Sequence, residues 1–388
     1  MLATFFLCLI VLSAVTASIP EDGRVNFTQL AWKYGHRSEE FDVTTEDGYI
    51  LKLFHITGNE PTKPVFLMHG ILDSADTYLL RGKKSIAVNL AEAGYDVWVG
   101  NVRGNKYSRR HVKLNPDKNK KKFWNFSLNE MGMYDLPASI DFILNKTGQK
   151  KLAAIGHSQG TSSFYVLGST RPEYNKKISV FISLAPIAYL NDVGPVVAGM
   201  MKMWPLISGF FERLGYEGVL EDHSAANQLM QFICSQKELG YDVCGKLGLG
   251  AIAGEDSEEL EREFFDVVLG HYPAGTSRKA FAHFTQIHNN ARFAPYDYGI
   301  VKNLFVYKSA APPAYNLSKA TMPIVLLAAT NDMLSGIRDV QRLKRELPNV
   351  VHYHVMERKE FNHVDYIWGK NIDVYMTPLL RDLLRKFA

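Results

Sequence analysis

Short apolar runs alternate with longer amphipathic stretches along much of this chain. Val65–Met68, Val97–Gly100, Leu152–Ile155, Val180–Leu184, Ile324–Ala329 and Val351–Val355 have strand length and few polar positions. Runs of this kind predict strands buried on both faces. Met131–Leu144 and Gly336–Leu347 carry helical spacing between them. Alternating strand and helix units predict an α/β architecture, with a mostly parallel sheet and helices on both faces. After Leu184-Ala185-Pro186 the rhythm stops, and residues from 187 to 315 read as helices. The expected organisation is a core of 18–186 and 316–388, interrupted by a helical cap or lid at 187–315. Asp256 and Glu259 predict a capping box for a helix Ser257–Leu269. Ser277 predicts the cap of another, Arg278–His288. Val196 to Met201 is apolar all round, and Leu206, Ile207, Phe210, Phe211 and Leu214 share one helical stripe. Such a stripe either packs against the core or forms an exposed face.

The N-terminus changes the picture. Leu2 to Val15 is almost wholly apolar and too short to span a bilayer comfortably. Val15-Thr16-Ala17 offers small residues for cleavage, so residues 1–17 read as a signal peptide, with a signal anchor as the alternative. No other stretch has the length of a transmembrane segment. Cys8 would leave with the signal, so Cys234 and Cys244 remain as an even pair. In an oxidising lumen they are expected to form a disulfide, two buried free thiols being the alternative. Secretory entry also makes the sequons at Asn26, Asn125, Asn145 and Asn316 usable for N-glycosylation. At 388 residues and 46% apolar composition the chain can bury a full core. The net charge of +4 does not suggest a nucleic-acid partner. The basic run Lys118 to Lys122 reads as a solvated loop beside Phe123-Trp124, which should pack inward.

The densest chemistry lies at Gly156-His157-Ser158-Gln159-Gly160, where an apolar run meets a helical one. Gly-x-Ser-x-Gly in that setting is a strand–turn–helix elbow that lifts a serine hydroxyl off the sheet edge. A serine is a weak nucleophile until a base takes its proton and a third group orients the base. In elbow enzymes the acid follows a late strand and the histidine follows the last one. Asn331-Asp332 ends the run Pro323–Thr330, and Asn362-His363 follows the strand Val350–Val355. Asp332 is therefore the expected acid, with Asp339 and Asp365 as alternatives, and His363 the expected base. His352 and His354 lie inside a strand, His157 would shape the elbow, and His69 would support the loop after an early strand. An oxyanion needs backbone N–H donors already in place. Gln159, next after the serine, should supply one, and Leu72 in His69-Gly70-Ile71-Leu72 the other. No metal or cofactor is implied.

Further motifs carry a family resemblance. They are Glu46–Leu51, His69-Gly70, Ala93–Trp98, Gly100–Asn105 with Ser108-Arg109-Arg110, and Phe123-Trp124. Tyr134–Ala138, the elbow, Pro273–Ser277, Asn362–Asp365 and Trp368-Gly369 complete the set. From about residue 30 to the C-terminus the chain resembles the acid lipases of the gastric and lysosomal type, most of all the insect lipase-3-like members. The resemblance implies an α/β-hydrolase fold and a secreted or lysosomal hydrolase of lipid carboxylic esters, triacylglycerol or cholesteryl ester, met at an oil–water or membrane interface. It carries the triad onto Ser158, Asp332 and His363, and the oxyanion donors onto Leu72 and Gln159. The departures are Met333 and Tyr78, where the family usually has Trp, and a cysteine count of two after the signal. A non-catalytic lipid-binding or storage protein is the alternative from another class; it would usually lack a triad residue. Acyl transfer to another alcohol is a third reading.

Overall fold

The computed structural model describes residues 19–57, 63–222 and 224–388. The segment 1–17, and Cys8 with it, lies outside the described residues. The strands are β1 (Ser38–Thr44), β2 (Tyr49–Ile56), β3 (Pro64–Met68), β4 (Asp96–Val99), β5 (Leu152–His157), β6 (Ile178–Leu184), β7 (Ile324–Ala328) and β8 (Val350–Val355). They pair side by side in the order β1-β2-β4-β3-β5-β6-β7-β8, and the two-residue strand Arg110–His111 pairs with β2. From β4 through β8 every pairing is parallel, whereas β1 and β2 run antiparallel at one edge.

Side chains along each central strand alternate between two cores. Val65, Leu67, Ala153, Ile155, Val180, Ile182, Val325 and Leu327 bury on one face. Phe66, Met68, Leu152, Ala154, Phe181, Ile324 and Leu326 bury on the other. Strand geometry sends successive residues to opposite faces, so a strand covered on both sides must be apolar at every position. That requirement explains why the apolar runs at the centre of the sheet coincide with strands, whereas the edge strand β8 is half-buried and carries His352 and His354. The hairpin β1–β2 escaped the sequence reading. Most of Ser38–Thr44 is exposed or half-exposed, and its polar residues hide the pairing.

Among the described residues the α-helices of seven residues or more are α1 (Phe27–Lys33), α2 (Ile86–Glu92), α3 (Leu136–Thr147), α4 (Gln159–Thr170), α5 (Pro195–Arg213), α6 (Ala225–Cys234), α7 (Arg262–Leu269), α8 (Arg278–Asn290), α9 (Ile300–Tyr307), α10 (Ile337–Glu346) and α11 (Thr377–Phe387), and Tyr241–Gly250 forms a π-helix. Among the described residues between β6 and β7 the regular elements are helices and a two-stranded ribbon, Gly218–Val219 with Thr276–Ser277. The Ser277 hydroxyl caps α8 by accepting from the Ala280 N–H at 2.9 Å. The expected helix from Ser257 begins instead at Arg262. The proposed capping carboxylates serve long-range contacts: Asp256 pairs with Arg358, and Glu259 accepts from Asn371. Cys234 and Cys244 form a disulfide with a Cα–Cα distance of 5.5 Å. Cys234, Tyr241, Ala253, Leu260, Phe264 and Leu269 share the core that holds one face of the sheet. Much of the inserted segment is thus packed into the body of the molecule.

On α5 the apolar stripe faces outward. Val196, Met200, Met203, Ile207, Phe210 and Leu214 are all exposed, at alternating spacings of four and three. That row runs about 27 Å along the helix. Leu206 beside it is 71% exposed. Trp204 turns the other way and meets the Phe281 ring of α8 at 5.0 Å.

A buried ion cluster ties the sheet edge to the rest. Arg103, in the loop after β4, is fork-bonded to Asp47 in the β1–β2 turn, at 2.6 and 2.9 Å. Its Nε and backbone N–H reach Asp135, just before α3, at 2.8 and 3.0 Å. The guanidinium also lies 4.0 Å from the centre of the Tyr49 ring. Burial pushes the Asp135 carboxyl up to about 6 against the pull of Arg103. Removing the cation would leave that carboxylate buried and uncompensated. Arg103→Ala is expected to cost about 3–5 kcal/mol of stability, read as a lower midpoint in urea unfolding; a midpoint within error of the parent would refute the assignment.

Candidate active site

The elbow is the sharpest feature of the backbone. β5 ends at His157 and α4 starts at Gln159, leaving Ser158 alone in the turn. Ser158 adopts φ 53°, a conformation rare for any residue but glycine. Its N–H is tied to the Leu184 carbonyl at 3.1 Å. Gly160 explains the motif's second glycine: a Cβ there would stand 2.5 Å from the Met68 carbonyl oxygen. The close approach of α4 to β3 therefore needs hydrogen at that position.

Ser158 Oγ lies 2.8 Å from His363 Nε2. His363 Nδ1 lies 2.9 Å from each carboxylate oxygen of Asp332. A carboxylate only accepts, so Nδ1 carries the proton and Nε2 is free to accept from the serine. Asp332 Oδ1 also accepts from the N–H groups of Leu334 and Ser335, at 2.9 and 2.7 Å. All three side chains are buried. They come from the turn after β5 and the loops after β7 and β8, all at the carboxyl ends of parallel strands, as ligand-binding residues of open α/β sheets commonly do.

The other acidic candidates are occupied elsewhere. Asp339 accepts from the N–H groups of Asn191 and Asp192 at 2.6 and 2.8 Å. Asp365 accepts from the Asn362 N–H at 2.8 Å, and burial pushes its carboxyl up to about 7. Of the remaining histidines, His157 donates through Nε2 to the His363 carbonyl at 2.8 Å, and burial drives its pKa down to about 3. It is a neutral strut between the elbow and the loop that carries His363. His352 and His354 lie half-buried on β8.

The loop after β3 abuts the serine. A Cβ on Gly70 would be 3.3 Å from Ser158 Cβ. His69 beneath it is wholly buried: Nδ1 donates to the Gly70 carbonyl at 2.7 Å, and Nε2 accepts from the Val102 N–H and from Asn105 Nδ2, both at 3.2 Å. Those partners demand the neutral ring, and burial holds its pKa down at about 4. Leu72 takes a positive φ of 59°. Among the described residues, neither the Leu72 N–H nor the Gln159 N–H donates to a protein acceptor.

Two features beside this loop had no signal in the sequence. The Ala274 N–H donates to the Leu72 carbonyl at 2.5 Å. Asp76, fully buried, accepts from Tyr107 Oη at 2.7 Å and from His271 Nδ1 at 2.8 Å, and pairs with Lys106. His271 and Ala274 belong to the inserted segment and Lys106 to the loop after β4. Each partner of Asp76 is 30 or more residues away, so no local pattern announces the cluster.

The fold and this arrangement place the molecule among the α/β hydrolases. A model of the alpha/beta hydrolase fold matches residues 63–370, and one of a partial alpha/beta-hydrolase lipase region matches residues 27–82. The chain is 41% identical to Lipase 1 of Drosophila melanogaster over 92% of its own length and 78% of the relative's. It is 38% identical to human gastric triacylglycerol lipase over 89% and 87% of the two lengths. Identity to Lipase 3 of Drosophila melanogaster is 38%, over 88% of each. A solved candidate lipase from Sulfolobus solfataricus superposes with a TM-score of 0.59 over 90% of this chain and 94% of that one, at 12% identity. A thermophilic esterase from Thermogutta terrifontis gives 0.50 over 90% and 99%, at 13% identity. The chain belongs to the acid lipase family of the gastric type.

Asp73, next to Leu72, makes a testable mark on pH dependence. Burial pushes its carboxyl up to about 7, while its Oδ1 accepts from the Ser74 N–H at 2.8 Å. Between pH about 4 and 7 the folded state therefore holds a proton that the unfolded chain has released, and stability falls as pH rises. Asp73→Asn keeps the acceptor and removes the titration. The variant should melt higher than the parent at pH 7 and lose that advantage by pH 4. Equal melting differences at both pH values would show that Asp73 is ordinary in the fold.

Proposed function

We propose that this protein is a lipase that hydrolyses carboxylic esters of lipids, with Ser158 as nucleophile, His363 as base and Asp332 as the group that orients it. The observation that carries this reading is the continuous hydrogen-bonded path Asp332–His363–Ser158 beside two backbone N–H groups without acceptors. Ser158 Oγ attacks the ester carbonyl as His363 Nε2 takes its proton. The new oxyanion is received by the N–H groups of Leu72 and Gln159. His363 then protonates the leaving alcohol, and a water molecule, activated by the same histidine, releases the fatty acid from Ser158.

The relatives named gastric triacylglycerol lipase favour triacylglycerol as the substrate class. The segment 187–315 is the cap over the site, and the exposed row on α5 is its lipid-contacting face. The secretory pathway, extracellular or lysosomal, is the setting. The disulfide and the exposed positions of Asn26, Asn125, Asn145 and Asn316 fit that route and the use of those sequons.

Ser158→Ala should fold normally, lose roughly three or more orders of magnitude in kcat and lose its labelling by a fluorophosphonate. Asp332→Asn should cost on the order of 10³–10⁴ in kcat. Substantial activity in either variant would overturn the assignment. For the cap, Leu206→Ser with Phe210→Ser should weaken hydrolysis of emulsified long-chain esters far more than that of a soluble short-chain ester. Exposed apolar area is what holds such a protein at an oil surface, at about 25 cal/mol for each Å² buried. Equal losses on both substrates, with a lowered melting temperature, would mean the row is packing surface.

A further inference from the structure

Asp332 and His363 sit on loops, four and eight residues past the ends of β7 and β8. No ladder of strand hydrogen bonds reaches them. The two loops touch each other through Asn331 Nδ2, which donates to the Glu360 carbonyl at 2.7 Å, and through Thr330 Oγ1, which donates to the Lys359 carbonyl at 3.3 Å. Their remaining support comes from elsewhere in the chain.

Three consecutive residues of the inserted segment, Ala253, Gly254 and Glu255, bond to both loops. The Ala253 carbonyl accepts from the backbone N–H of His363 at 3.0 Å and from that of Met333 at 3.4 Å. The Gly254 carbonyl accepts from Asn362 Nδ2 at 2.8 Å. The Glu255 carbonyl accepts from Asn331 Nδ2 at 3.0 Å. The donors are the base itself, the residue before it, and the residues on either side of the acid. Asn362 is fixed at its other end, where Oδ1 accepts from the N–H groups of Val364 and Asp365 at 2.9 and 3.2 Å.

The contact is too close for any side chain at its centre. Gly254 has φ +105°, and a Cβ there would lie 2.0 Å from the Asn331 carbonyl oxygen and 2.8 Å from Asn362 Cβ. The stretch is itself anchored. Ala253 is buried in the core that holds Phe361 and Val364. Arg358 pairs with Asp256, and Arg81 pairs with Glu261 at 2.7 Å.

From these contacts we infer that Ala253–Glu255 is a clasp that sets the spacing of the acid and base loops, with Gly254 and Asn331 as positioning residues for the hydrolytic reaction. The inference rests on the reading of Asp332 and His363 as acid and base. It gives the inserted segment a second task. The same segment that covers the site holds the imidazole in register with its carboxylate. The reason is geometric: His363 Nδ1 sits midway between both oxygens of Asp332, and a shift of about 1 Å in such an alignment can cost on the order of 10² in rate.

The test uses the full chain and a soluble short-chain ester, so that surface binding plays no part. Gly254→Ala should lower kcat on the order of 10²-fold and Asn331→Ala about tenfold, with KM unchanged. The acid limb of the pH–rate profile should move to lower pH in both, because an imidazolium less well paired with Asp332 gives up its proton more readily. A purely structural contact would lower the melting temperature without moving that limb. Should Gly254→Ala fail to fold, Asn331→Ala, which loses only a half-buried side-chain amide, decides the matter. A folded Asn331→Ala with the parent's kcat and acid limb overturns the clasp. That outcome is distinct from failure of the triad reading, which would show as activity surviving in Ser158→Ala whatever the clasp variants do.

Discussion

The constraint on which the site depends is the contact of α4 with β3, where Gly160 lies against the Met68 carbonyl. It holds the elbow in place, and the elbow holds Ser158 in a backbone conformation that its side chain does not favour. Strain of that kind persists only where the surroundings over-determine it. Here they do: β5 is paired on both sides, with β3 and β6, and α4 is buried along almost its whole length. The same contact brings the loop His69–Leu72 beside the serine, so Ser158 and the neighbouring backbone N–H groups of Leu72 and Gln159 are set by one packing decision.

The polar groups around the site show how a buried arrangement stays satisfied. His69, His157 and His363 each bond through both or one of their ring nitrogens to partners that select a particular tautomer. His69 and His157 are held neutral by burial, so neither competes with His363 for a proton near neutral pH. An unfavourable pair of positive charges beside the elbow is thereby avoided. The carboxyls of Asp73 and Asp365, pushed up by burial on the flanks of the site, likewise avoid full charge in apolar surroundings.

The central sheet and the order serine, acid, histidine were legible because both are local in sequence. A doubly buried strand must be apolar throughout, and Ser158 and Asp332 follow such runs within a few residues, with His363 eight residues after the half-buried β8. The departures share the opposite property. β1 has a polar sequence and becomes a strand only by pairing with β2. Asp256 looked like a helix cap with Glu259 but is claimed by Arg358, about a hundred residues on. A cap is a local device worth about 1 kcal/mol; a desolvated ion pair that would otherwise be left open is worth more to keep closed. Propensity yielded to tertiary structure there, and α7 starts one and a half turns later.

The inserted segment carries the least local information and the most long-range work. Its residue Ala274 steadies the Leu72 loop, His271 joins Lys106 and Tyr107 around Asp76, and Ala253 meets the loops of Asp332 and His363. These contacts approach the serine from two sides. The exposed apolar row of α5 lies on the same segment, some forty residues before the clasp. A segment with one stretch exposed and others locked into the core can change at its outer helix without loosening the loops of Asp332 and His363. The division follows burial: α5 buries little beyond Val197 and Ser208, whereas Ala253 and Ala274 are almost wholly enclosed. Helices with few buried contacts open at low free-energy cost, and enclosed backbone does not. Exposed and enclosed stretches are thus placed on different parts of one insertion.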